Sequence, residues 1–276
     1  MRKNKSAFLS VPYIIFMVIF TLIPLGVVGY YALTDPDTGE FTFSNIANLS
    51  MYLPVLSQSI GYALISALIC LLLGYPVAYY IAHRGEVMQK ILYMLVMLPM
   101  CMSFLLRTLA WVGLLQDTGI INNFLDAIGI GRIQLIRTPG AVILGMVYNY
   151  LPYMILPLYA IIVKIDNRLI EAAEDLGCTP TQTFLRVVLP LSMPGILSGI
   201  TMVFVPAVST FVISKLLGGS KLMMIGDVIE TMFVGDGCDY NVGAALSLIL
   251  MVLMLICMSL MHRVDNGEDE LGGMMT

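Results

Sequence analysis

Charge is scarce in this chain. Of 276 residues, only 12% are Asp, Glu, Lys or Arg, about half the fraction of a soluble domain. With 59% hydrophobic residues and a mean hydropathy of +0.90, too little polar surface exists to cover a globule of this length. That excludes a water-soluble fold. Histidine and cysteine are scarce as well. The two histidines, His83 and His262, fall at the ends of apolar runs, and the five cysteines (Cys70, Cys101, Cys178, Cys238 and Cys257) form no Cys-x-x-Cys pair. Neither a metal site nor a disulfide framework is expected. The sequence also lacks a glycine-rich phosphate loop with lysine, paired acids at membrane depth, and any nucleophile–base pair. Those absences leave no candidate catalytic residue, no cofactor bound by the chain itself, and an intramembrane enzyme excluded. No nucleic-acid partner is expected.

Long apolar runs are what the sequence has in quantity. A helix needs about 20 apolar residues to cross the hydrocarbon core, and six stretches qualify: 11–33, 56–82, 91–115, 141–163, 191–217 and 242–261. The first follows Met1-Arg2-Lys3-Asn4-Lys5 and is too long for the apolar core of a signal peptide, so it reads as an uncleaved span. An even number of spans puts both termini on one side. That side holds nine bases, Arg2, Lys3, Lys5, Arg84, Lys90, Lys164, Arg168, Arg186 and Arg263; the other holds four, Arg132, Arg137, Lys221 and Lys215. The excess places both termini in the cytoplasm. The expectation is a single all-α integral membrane domain over residues 1–276. It carries a short acidic disordered tail from Asp265 to Thr276. In the last outer loop, Gly218–Tyr240, the spacing of Leu222, Ile225, Val228, Ile229, Met232 and Phe233 predicts an amphipathic helix lying at the outer surface.

One polar stretch interrupts the series. Between Asp166 and Val188, Asp166 can cap a helix through Leu169, Ile170, Ala173 and Leu176, and Gly177 can end it in the left-handed conformation. Thr179, Pro180 and Gln182 then supply a capping box for a second helix. Leu169, Ile170 and Leu176 form an apolar stripe beside Glu171, Glu174 and Asp175. From the residues alone this hairpin is either a solvated connector or a docking knob on the cytoplasmic face. Its pattern runs Glu171-Ala172-Ala173, three residues, Gly177, nine residues, Val187, one residue, Leu189-Pro190. It resembles the EAA motif of ABC importer permeases, with Val187 where isoleucine is more usual. The stretches Leu73–Tyr80, Ser103–Trp111, Gly119–Asn122, Leu151–Tyr159 and Leu216–Gly219 extend the resemblance to the spermidine/putrescine permease group.

The resemblance implies the six-span, type I (MetI-like) permease fold and ATPase coupling through Leu169, Ile170, Glu171, Ala172, Ala173, Leu176 and Gly177. It also implies several partners: a homologous second permease, two ATPase subunits that use ATP and Mg, and an extracytoplasmic solute-binding protein, all around a lipid bilayer. The fifth span then lines the pathway, which makes Phe211, Ser214 and Lys215 candidates there. Tyr148 and Asn149 sit mid-span near Pro152 and Pro157 and read either as pathway wall or as a kinked packing helix. Gly195 and Gly199 read as a close-packing pair. Arg107, a charge inside a span, reads as a structural or interface residue or as one that snorkels. Lys215 would repel a polyamine near the pathway, whereas nine acids in the outer loops would attract one. The charges leave the solute open, and the resemblance implies a polyamine, carried across a bacterial inner membrane. The alternatives are an ABC permease for an anion or a metal chelate, and an ATP-independent secondary transporter or channel.

Overall fold

The computed structural model describes residues 12–13, 15–35, 39–234 and 238–273; the side chains of 44, 47, 48, 221 and 262–273 are not described. The expected start of the first span at Val11, the basic N-terminal cluster and the last three residues lie outside the described residues. The described chain is almost wholly helical. Five helices are long and apolar enough to cross a membrane, and a sixth crossing is available if a bent pair counts as one span.

Two compact units are present, Met1–Pro54 with Val228–Leu255, and Val55–Asp227 with Ile256–Thr276. In the first, helix α1 (Ile15–Ala32) has only 6% of its apolar window buried within the chain. Asn45 donates to the Thr34 carbonyl at 2.9 Å, and Gly243 lies against Met232 and Phe233. The second unit holds α2 (Leu53–Ala82) after its first two residues, α3 (Glu86–Met97), α4 (Phe104–Leu115), α5 (Ile120–Ala127), α6 (Pro139–Ile162), α7 (Asn167–Asp175), α8 (Pro180–Leu191) and α9 (Met193–Val208).

Helix α6 is the core of the second unit, with 56% of its window buried. It starts where sequence chemistry places it: Thr138 accepts the Ala141 N–H at 3.2 Å, and Pro139 takes the first helical position. Helix α9 packs on it through glycine. A Cβ on Gly195 would lie 3.1 Å from the Pro157 carbonyl, and one on Gly199 would lie 2.6 Å from the Met154 sulfur. The Gly195/Gly199 pair is therefore a helix-packing surface, as its spacing predicts.

Four expectations change. The third stretch, 91–115, is two helices rather than one span. Helix α3 passes into a 3-10 turn at Leu98–Cys101, and Met102 and Ser103 are extended before α4 begins. Pro99 supplies no N–H to the ladder there. The fifth stretch, 191–217, also breaks. Helix α9 ends at Val208, Ser209 donates back to the Val205 carbonyl at 3.2 Å, and a π turn follows at Ser214–Gly218. The Tyr150 hydroxyl takes the Pro206 carbonyl that the interrupted ladder leaves over, at 3.3 Å.

The outer-loop helix, α10 (Ile225–Val234), does not simply lie on the surface, because its first turn is buried. The Ile225 N–H donates to Ser59 Oγ at 2.8 Å. A Cβ on Gly226 would lie 2.6 Å from the carbonyl oxygens of Ser209 and Thr210, so only glycine permits that approach. Finally, α11 (Tyr240–Gly273) runs on through most of the segment expected to be a disordered tail. A helix already nucleated in the apolar span extends at the low cost of one fixed residue per hydrogen bond.

Candidate functional site

The hairpin forms through the local chemistry its sequence announces. Asp166 accepts the Arg168 N–H at 3.0 Å and starts α7. At the far end the Gly177 N–H donates to the Glu174 carbonyl at 2.9 Å and the Cys178 N–H to the Ala173 carbonyl at 3.1 Å. Those two bonds make a Schellman motif, whose left-handed residue is Gly177 at φ +87°. Thr179 and Gln182 close the reciprocal capping box that begins α8.

Of the seven predicted coupling residues, the structure buries one side chain, Ala173, in the crossing of α7 with its neighbours. Glu171, Ala172 and Leu169 are exposed, Ile170 is half-buried, and Leu176 stands 86% exposed at the tip. An apolar tip held by satisfied caps, next to Glu171, Glu174 and Asp175, is a preformed knob with unburied hydrophobic surface.

The knob is tied to the spans by contacts that the sequence reading did not single out. Helix α8 runs from the capping box to Leu191 by way of a π turn at Phe184–Val188 and meets α9 at a 64° bend. At the bend, buried Ser192 donates to the Leu189 carbonyl at 3.0 Å and shares a 2.7 Å hydrogen bond with the Tyr75 hydroxyl of α2. One face of α8 carries Phe184, whose ring packs edge-on against Tyr75 and Tyr79 at centroid distances of 5.4 and 5.9 Å. Tyr75 and Tyr79 stand one helical turn apart, which is the only sequence signal for this cluster.

The predicted pathway residues do not converge on one place. Tyr148 packs edge-on against Trp111 at 5.4 Å and stays partly exposed. Its neighbour Asn149 is buried and donates to the Gly145 carbonyl at 2.9 Å and to the Thr108 hydroxyl at 3.5 Å. Phe211 lies in the break after α9, and buried Ser214 donates to the Phe211 carbonyl at 3.1 Å. Arg107 is 6% exposed, and its Nε and Nη1 have no hydrogen-bond acceptor among the described residues.

Lys215 lies elsewhere, at the end of the spans predicted to face outward. It lines a cavity of about 490 Å³ together with Gln116, Asp117, Arg137 and Gly219. A neighbouring cavity of about 350 Å³ shares Arg137 and Gly219 and adds Gln134 and Ser220. Arg137 has φ +62°, alone among the described non-glycine residues in being positive. That conformation costs an L-residue about 1–2 kcal/mol. It is held by a 2.7 Å bond from the Arg137 N–H to the Leu217 carbonyl. Gly219, at φ +66°, lies under the arginine stem, where a Cβ would sit 3.3 Å from Arg137 Cγ. Nothing in the local sequence marks Arg137, because its conformation is imposed by a segment 80 residues away.

Residues 71–268 match the family described as the binding-protein-dependent transport system inner membrane component. The chain belongs to this family. It is 38% identical over 276 residues to the spermidine/putrescine transport system permease protein PotB of Salmonella typhimurium, covering 96% of each chain. The Escherichia coli protein of the same name is 39% identical over 267 residues, covering 92% of this chain and 97% of that one. Among solved structures, a chain of a bacterial ABC transporter involved in import of the acidic polysaccharide alginate superposes with a TM-score of 0.81. Its identity is 19%, with 96% of each chain covered. That likeness shows the permease fold. Family membership together with the apolar helices makes this a multi-pass inner-membrane protein.

Proposed function

We propose that this chain is one of two homologous pore-forming subunits of an ATP-driven importer of spermidine or putrescine. The observation that carries the solute is identity of 38–39% with spermidine/putrescine permeases along more than nine-tenths of the chain. Both termini face the cytoplasm, which puts the α7–α8 knob on the side that holds ATP. Two ATPase subunits bind and hydrolyse ATP with Mg there, and this chain is non-catalytic. A soluble binding protein delivers solute at the other face, as the family description supports.

The coupling role follows from the knob's construction. Leu176 and Leu169 offer apolar area to a groove on the ATPase, and Glu171 flanks them. Closure of the ATPase pair around ATP moves the knob, α8 carries that motion because its caps and aromatic contacts keep it whole, and α9 receives it at the bend. Nucleotide shifts the pore between inward and outward states only to the extent that the closed ATPase pair binds one state better. Phe211 and Ser214, at the break in the fifth span, are the pathway residues this reading favours. Tyr148 and Asn149 contribute through packing on α4.

The test uses the whole complex in proteoliposomes with labelled spermidine. Leu176 is so exposed that Leu176→Asp should change the fold's stability by no more than about 0.5 kcal/mol. Burying a leucine at a partner contributes about 1.5–3 kcal/mol, so the same change should abolish ATP-driven uptake. Normal uptake by Leu176→Asp would refute the coupling role. Failure of unlabelled spermidine and putrescine to compete would refute the solute.

A further inference from the structure

The cavity around Arg137 and Lys215 has no part in the coupling described above, and its charge is wrong for the proposed solute. Among the described residues, two cations and Gln116 line it, with Asp117 as the one acid. An ammonium group would be repelled, whereas a carboxylate would find donors on two sides. The backbone is arranged to keep it so: Arg137 is held in the left-handed region by Leu217, and its stem crosses the bare Gly219. Strained residues of this kind persist where the surrounding structure over-determines them, and they cluster at binding sites. A carboxylate on a docking protein would complement the two cations here. Charge complementarity of this kind fixes register and orientation more than it adds affinity.

We propose that Arg137 and Lys215 form a carboxylate-receiving pocket for an Asp or Glu on the surface of the soluble solute-binding protein. The pocket sets the register in which that protein docks. The proposal rests on the importer reading and on the orientation that puts this end outward. A lone phosphate or lipid headgroup suits the pocket less well, because Asp117 sits in the wall and takes back half of the positive charge. A protein carboxylate arrives with its own hydrogen-bonding neighbours to meet Asp117 and Gln116.

The test is the affinity of the solute-loaded binding protein for the assembled importer in nanodiscs. Co-purification of the ATPase subunits checks that each variant is folded. Lys215→Gln and Arg137→Gly should each weaken binding about tenfold, since a charge pair in a half-enclosed pocket is only partly screened. Lys215→Arg should retain it. Raising salt should weaken the wild type far more than the double variant. Binding within twofold of wild type for both variants would overturn the proposal. So would an effect that disappears when phosphatidylglycerol is replaced by phosphatidylcholine, which would make the pocket a lipid site. A raised KM for uptake with unchanged binding-protein affinity would make it a solute site and overturn the proposal as well. If the wild-type complex binds its ATPase subunits but no solute-binding protein at all, the importer reading itself has failed.

Discussion

Gly177 provides a test that separates two reasons for a glycine. It sits at φ +87° as the left-handed residue closing α7, and a Cβ built there meets no heavy atom within 4 Å. Within this chain, then, the position needs a backbone conformation and not space. Alanine in that conformation costs about 1–2 kcal/mol, partly offset by the 0.4–1 kcal/mol gained from a stiffer open chain. The net is about 1 kcal/mol against the closed turn, a factor of about five in equilibrium. Asparagine enters the left-handed region readily, so Gly177→Asn should be nearly silent although its side chain is larger. Valine, branched at Cβ, is a true outlier there and should do worst. The assay is titration of the ATPase subunit onto the assembled permease pair in nanodiscs. The expected affinity order is Gly, Asn, Ala, Val, with Ala about fivefold and Asn less than twofold below wild type. If Ala matches wild type while Asn fails, the glycine clears room for the ATPase and the backbone argument is wrong.

Two further outcomes are expected. Tyr75→Phe and Ser192→Ala each remove the same buried 2.7 Å hydrogen bond, so the double variant should cost little more than either alone. A double-mutant cycle on detergent stability should give a coupling of about 1 kcal/mol, and strict additivity would show that the bond contributes nothing. Gly199→Val places carbon against the Met154 sulfur and the Pro157 ring, an overpacking change worth about 1–3 kcal/mol. It should lower the thermal midpoint of the purified complex, whereas a substitution at the open position Gly61 should leave it nearly unchanged.

The features legible in the sequence are those whose cause is local. The Asp166 cap, the Gly177 turn and the Thr179–Gln182 box each need only a few neighbouring residues, and all three form as their spacing predicts. The Gly195/Gly199 face was legible because small residues four apart have a recognised use. What hydropathy missed are interruptions inside greasy runs. The breaks at Met102–Ser103 and after Val208 leave composition unchanged, and a window average passes over them. The burial of the first turn of α10 was also hidden. Its partners, Ser59 and the Ser209 and Thr210 carbonyls, lie far away in sequence or expose only backbone. Arg137 is the extreme case, a residue of ordinary type put into an unusual conformation by a distant strand of chain.

The bend at Ser192 gives the fold a mechanical property. At 1.5 Å per residue, α9, with 16 residues, is an arm of about 24 Å, and α8, shortened by its π turn, is one of at most about 18 Å. They meet at 64°, with Tyr75 pinning the corner. Two stiff arms joined at a pinned corner act as a bell crank, turning a push on one arm into a sideways sweep of the other. A rotation of about 10° about Ser192 would displace the far end of α9 by about 4 Å, roughly the width of a methylene chain. A small movement of the α7–α8 knob would in this way become a displacement of the far end of α9, near the break at Ser209–Phe211.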